Sequence, residues 1–122
     1  EIAILGLAFK ANTDDIRESS SIDMINFILS KGGNIRAYDP IANHSMAKIF
    51  PDISYFQDVY EAVNKADALI VMTEWNEFRA LDLKKIRNIM DGKFILDTRN
   101  IMNMKELSSL GFVYDNVGRF KI

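Results

Sequence analysis

Four short apolar runs recur along this chain: Ile2 to Leu7, Ile35 to Tyr38, Ala68 to Met72 and Phe94 to Leu96. Each is too short for a stable helix and too uniformly apolar for a half-exposed strand. Each therefore reads as a strand buried on both faces, as in a parallel sheet. Between them lie segments of helical period. Ile22, Ile25, Ile28 and Leu29 share one helical face, and Val59, Ala62 and Val63 share another. Strands that alternate with helices must cross over to return in the same direction. The expected class is thus α/β, a Rossmann-like three-layer sandwich with a mostly parallel sheet.

Local signals set the boundaries. Ser20 or Ser21 is expected to cap the first helix, with Asp23 in its first turn. Lys31-Gly32-Gly33 ends it, because Gly adopts the left-handed cap without strain. Further helices are expected over 42–50, 58–65, 82–90 and 104–110, the last stopped by Gly111. Residues 53–56 read as a weak strand and 112–114 as a final one. Thr73 to Phe78 reads as a connection and Asp91-Gly92 as a turn.

At 122 residues this is one domain, 1–122, able to bury roughly two thirds of its unfolded surface. The chain opens on a core strand without an initiating Met, so we expect a piece of a longer protein. A net charge of −2 argues against a nucleic-acid module. No apolar run reaches the ~20 residues of a membrane span. The first residues, Glu1-Ile2-Ala3-Ile4, lack a cationic signal-like pattern. Zero cysteines exclude disulfides, thiolate metal sites and a cysteine nucleophile, and fit a cytoplasmic setting.

The chemistry concentrates at the C-terminal ends of the strands, where open α/β sheets hold ligands. The long connection after the first strand carries Phe9, Lys10, Asp14, Asp15, Arg17 and three serines opening a helix. Cations near a helix N-terminus favour an anion such as phosphate. Asp39 follows the second strand, Thr73-Glu74-Trp75 the fourth, and Asp97-Thr98-Arg99 the fifth. Lys10 and Arg99 come from different loops and either converge on one ligand or are solvated singly. The acidic run around Asp15 reads as a self-paired loop in preference to a metal site. The one histidine, His44, reads as a surface residue, and Trp75 and Phe78 as packing. A dinucleotide fingerprint needs Gly-x-Gly-x-x-Gly; here only Gly6 is present, with Ala8 and Ala11 where later glycines would fall. The sheet is Rossmann-like, yet this turn is not expected to cradle a pyrophosphate.

Taken together, Gly6-Leu7-Ala8-Phe9-Lys10, Thr13 to Ser21, Tyr38-Asp39-Pro40, Thr73-Glu74-Trp75 and Asp97-Thr98-Arg99-Asn100 resemble the C-terminal, UDP-binding domain of the UDP-glucose/GDP-mannose dehydrogenase family. The motifs span essentially the whole chain, in order. The resemblance implies an NAD-dependent enzyme of polysaccharide biosynthesis. It oxidises the C6 alcohol of a nucleotide sugar to a carboxylate, delivering two hydrides to two NAD through a cysteine-bound intermediate. NAD is then held mainly by an N-terminal domain, and a central region carries the cysteine and forms a homodimer. No catalytic residue or metal ligand falls in this chain, which alone would be inactive. Phe9 and Lys10 resemble the family's nucleotide-sugar contacts. Arg99 resembles the arginine that reaches substrate across the dimer, and Arg17 the arginine that touches NAD. Ser20 stands where most members have Pro. Thr73-Glu74-Trp75-Asn76 leans towards oxidation of UDP-glucose to UDP-glucuronate. The alternatives within the family are UDP-N-acetylmannosamine, UDP-N-acetylglucosamine or GDP-mannose.

Two readings from other classes remain. A receiver-type signalling domain is also doubly wound and of this length, with Asp58 and Thr73 in its phosphoacceptor and switch roles. It expects a Lys after the fifth strand, where Thr98-Arg99 stands, and an acidic pair directly after the first strand, where several residues intervene. A nucleotide-binding regulatory module without a catalytic partner is the other.

Overall fold

The computed structural model describes residues 1–116 and forms one sheet flanked by helices. The strands are β1 (Ile2–Leu5), β2 (Ile35–Tyr38), β3 (Ser54–Tyr55), β4 (Ala68–Val71), β5 (Phe94–Asp97) and β6 (Val113–Asn116). The helices are α1 (Ser20–Ser30), α2 (Asn43–Ala47), α3 (Val59–Val63), α4 (Asn76–Arg79), α5 (Leu83–Ile89) and α6 (Met104–Ser109). The strand order is β3-β2-β1-β4-β5-β6, and every pairing among the described residues is parallel. This is the doubly wound order, with its switch point between β1 and β4.

Alternation along the strands builds two cores. Ala3, Leu5, Leu69, Val71 and Ile95 face one layer, closed by Val59 and Val63 of α3, Phe78 of α4, Leu83 and Ile86 of α5 and Leu107 of α6. Ile4 and Ile70 face the other, closed by Ile25 and Ile28 of α1 and Met46 of α2. Trp75 and Phe78 are buried in the first core, as expected. His44 is exposed on α2.

Most helices and strands are a residue or more shorter than the sequence reading, α2 ending at Ala47 and not at 50, and four differences have a clear local form. β1 ends at Leu5, because Gly6 turns the chain with φ +101°. The α1 N-cap is Ser19, whose Oγ accepts the Ser21 N–H, and neither Ser20 nor Ser21. Asn76–Arg79 forms a short helix where a plain connection was expected. The last strand begins at Val113 and runs on to Asn116. The caps Asp58, Asp82 and Asn103 each accept a backbone N–H from the first turn of α3, α5 and α6.

Two carboxylates shape the ligand-facing rim. Asp39, just past β2, is buried, and its Oδ2 accepts the Leu7 and Ala8 N–H groups and the Trp75 Nε1–H at 2.8, 3.0 and 3.1 Å. Its Oδ1 accepts Ile41 N–H and Ala42 N–H, both at 2.9 Å. One side chain thereby ties the turns after β1, β2 and β4. Asp97, at the end of β5, does the same locally. Its oxygens accept the N–H groups of Arg99, Ile101 and Met102. Gly6 is required at its position for a second reason besides φ: a Cβ there would meet the Thr73 Cβ at 2.5 Å.

Replacing Asp39 leaves up to five donors without an acceptor, four of them buried and expensive to strand. We expect Asp39→Ala to cost at least about 3 kcal/mol of unfolding free energy, against under about 0.5 kcal/mol for exposed Asp52→Ala. Urea denaturation of both variants checks this, and a loss below about 1 kcal/mol for Asp39→Ala would contradict the role.

Candidate functional site

The β1–α1 connection is long, and its path is fixed from within. Phe9 N–H donates to the Asp15 carbonyl at 2.6 Å, and Asp15 N–H donates to Thr13 Oγ1. Asn12 and Glu18 take positive φ at its bends. Two serines fasten its ends: Ser19 Oγ–H donates to the Leu7 carbonyl and Ser21 Oγ–H to the Gly6 carbonyl, both at 2.8 Å. The serines that looked like open anion donors are thus partly engaged by the strand end.

The β4–α4 connection fastens the same loop from the other side. Thr73 Oγ1–H donates to the Ala8 carbonyl at 3.0 Å. Glu74 Oε1 accepts the Ala11 N–H at 3.1 Å, and Trp75 reaches Asp39. Each residue of Thr73-Glu74-Trp75 therefore carries one tie across the switch point.

A cavity of about 280 Å³ opens on this rim. Ala8, Phe9 and Lys10 form one wall, and Glu18, Ser19 and Ser20 at the start of α1 form another. Met72 and Arg99 complete it from β4 and β5. Phe9 is 45% exposed there, an apolar face left to solvent beside two cations. The structure thus brings Phe9, Lys10 and Arg99 together from two loops. It sets them over the N-terminal end of α1, where the helix dipole favours an anion. Among the described residues, Glu18 is the one acidic residue that lines the cavity.

Arg99 is not loose in this cavity. Its Nε–H donates to Glu74 Oε2 at 2.6 Å, and its Nη2 bonds the same oxygen. Burial alone would raise the Glu74 carboxyl, but the Ala11 N–H and the Arg99 guanidinium outweigh it and hold the group below its usual range. Glu74 was not singled out by sequence as a site residue. Its signal lay in the acid between Thr73 and Trp75 at the end of a buried strand.

Arg17 lies apart, in a neighbouring hollow of about 290 Å³ that it shares with Phe9, Asp15 and Glu18. Its Nε–H and Nη2–H donate to the two Asp15 oxygens at 3.1 and 2.9 Å, and its side chain is 88% exposed. The expected self-paired loop is present. No group of three or more metal-ligating side chains occurs among the described residues.

The fit to a dinucleotide is poor at the place where a Rossmann fold usually holds one. An acid near the end of β2 would there accept ribose hydroxyls. Here both oxygens of Asp39 are committed to protein N–H groups, and the turn carries no second glycine. This turn does not fit a cofactor pyrophosphate, and the cavity opens instead at the ends of β1, β4 and β5. Among the described residues, no helix is long and apolar enough to cross a membrane.

The Asp15 carboxyl is lowered from 3.8 to about 2, first by the Arg17 side-chain hydrogen bond and then by the Arg17 backbone N–H. A lowered folded value means the pairing stabilises above about 3.8 and is lost as pH falls through about 2. The pair is exposed, so the stability at stake is small. Carboxyl titration by NMR is expected to show Asp15 near 2 and, in Arg17→Ala, a shift back towards 3.8.

Comparison with known proteins fits this geometry. The family model described as the UDP binding domain of the UDP-glucose/GDP-mannose dehydrogenase family matches residues 3–104. A UDP-glucose 6-dehydrogenase of Rhizobium meliloti (strain 1021) is 40% identical over 119 residues, covering 98% of this chain and 27% of that protein. A solved UDP-D-ManNAc dehydrogenase from Pyrococcus horikoshii superposes with a TM-score of 0.76 at 29% identity, over 97% of this chain and 25% of that one. A UDP-glucose dehydrogenase from the hyperthermophilic archaeon Pyrobaculum islandicum gives 0.77 at 27% identity, over 93% and 24%. The chain spans about a quarter of the length of these relatives.

Proposed function

The chain belongs to the UDP-glucose/GDP-mannose dehydrogenase family, as its UDP binding domain, and from that premise we propose that it serves a longer, NAD-dependent UDP-glucose 6-dehydrogenase. The whole enzyme oxidises UDP-glucose to UDP-glucuronate in the cytoplasm, for polysaccharide biosynthesis. The observation that carries this reading is the convergence of Lys10 and Arg99 from two loops on one cavity beside the start of α1. Two cations and helix N–H groups suit a diphosphate, and the exposed Phe9 ring offers an apolar face to the nucleotide or sugar.

Arg17 lines the neighbouring hollow instead and, being largely exposed, is accessible to a cofactor held by another region of the same polypeptide. We assign it to the NAD phosphates, reached by exchanging Asp15 for a stronger anion. The N-terminal NAD-binding region, the central region and the homodimer are supplied by the rest of that polypeptide. The chain by itself carries no catalytic residue. The likeness to a UDP-D-ManNAc dehydrogenase supports a second reading, in which an N-acetylated UDP-sugar is the substrate.

The test is NADH formation, followed by absorbance, from the full-length protein with UDP-glucose and NAD. Two NADH per sugar are expected, and none from residues 1–122 alone. Lys10→Ala and Arg99→Ala should each raise KM for UDP-glucose about tenfold, equivalent to ~1.4 kcal/mol, with Arg17→Ala acting on KM for NAD instead. Turnover of UDP-N-acetylmannosamine or GDP-mannose in place of UDP-glucose would move the assignment to that branch. Unchanged constants in all three variants would remove the site assignment.

A further inference from the structure

Arg99 and Lys10 lie on loops that follow different strands, β5 and β1, and among the described residues no backbone hydrogen bond joins the two loops. One side chain bridges them. Glu74, on the connection after β4, takes the Ala11 N–H on Oε1 and the Arg99 guanidinium on Oε2. Ala11 is the residue after Lys10. β4 lies between β1 and β5 in the sheet, so Glu74 is placed to reach both neighbours at once. Its own backbone is held by the ties of Thr73 to Ala8 and Trp75 to Asp39 on either side.

We propose that Glu74 is a positioning residue for the nucleotide-sugar site, setting the Phe9-Lys10 turn and Arg99 as one unit. The inference rests on the proposed role of Arg99 and Lys10 as diphosphate contacts. Glu74 engages the Nε and Nη2 edge of the guanidinium with a single oxygen, leaving the far side of the five-donor fork to the cavity. A guanidinium held on one edge by a fixed carboxylate keeps one orientation, so less side-chain freedom is lost when it meets a phosphate. Without Glu74, Arg99 would sample its rotamers and the turn at Ala11 would lose its tether. Ligand binding would then pay to order both.

The experiment is a double-mutant cycle in the full-length enzyme between Glu74→Gln and Arg99→Ala. Glutamine keeps an oxygen for the Ala11 N–H and removes the charge that holds Arg99. Glu74→Gln is expected to raise KM for the UDP-sugar about five- to tenfold and leave KM for NAD within twofold. Combined with Arg99→Ala it should add little, because Glu74 acts through Arg99. Fully additive effects, or a normal KM in Glu74→Gln while Arg99→Ala is impaired, would overturn the inference and leave the site reading standing. A normal KM in Arg99→Ala itself would overturn the inference together with the assignment of Arg99. Should Glu74→Gln fail to fold, Glu74→Asp decides: it keeps the charge and every Arg99 donor but is one methylene too short to hold the Ala11 N–H and Arg99 at once. The same KM rise supports the inference, and an unchanged KM overturns it.

Discussion

The Asp39 carboxylate is the interaction on which the rest of the rim depends. It is buried just past β2, and its two oxygens accept five protein N–H groups from three separate turns. A charge in that position would be costly if left bare, and only a dense set of donors makes it tolerable. Four of these donors are backbone groups that a sharp turn leaves unpaired. Each need answers the other. The end of β1 is held against β2, and Trp75 is anchored over both.

That arrangement decides what kind of ligand the domain can take. In a dinucleotide-binding Rossmann fold the acid at the end of β2 and a glycine-rich turn face the cofactor. Here the acid faces inward and the turn is filled by Thr73, packed against Gly6 so closely that a methyl group would collide. The cavity lined by Lys10 and Arg99 lies one strand along, at the ends of β1, β4 and β5. A family whose members bind UDP on this domain is consistent with a Rossmann sheet whose usual cofactor turn is closed.

Much of the scaffold was legible because buried parallel strands leave a plain trace. Ile2 to Leu5, Ile35 to Tyr38, Ala68 to Val71 and Phe94 to Asp97 are nearly uninterrupted apolar runs, which few other elements of that length produce. The short helix Asn76–Arg79 left no such trace. Its N-cap is Trp75, with no side-chain cap, so the usual Ser, Thr, Asp or Asn signal is missing. Local signals pointed to Ser20 or Ser21 as the cap of α1, one or two positions late. Ser19 was selected because its hydroxyl also reaches the Leu7 carbonyl while Ser21 reaches that of Gly6. Those are contacts with a strand end more than ten residues earlier.

The candidate site divides the same way. The sequence alone determined which residue types stand after which strands, since hydrophobic period and turn chemistry are local properties of the chain. That put Phe9, Lys10, Arg17 and Arg99 on the rim, and the resemblance to the dehydrogenase family singled them out from the other residues there. Only the tertiary structure decided which of them share a cavity, that Arg17 lies in a separate hollow paired with Asp15, and that Glu74 joins Arg99 to the turn after Lys10. The physical reason is the sheet order. Placing β4 between β1 and β5 brings residues 11, 74 and 99 side by side, and no periodicity within a short window carries a separation of 25 or 63 positions.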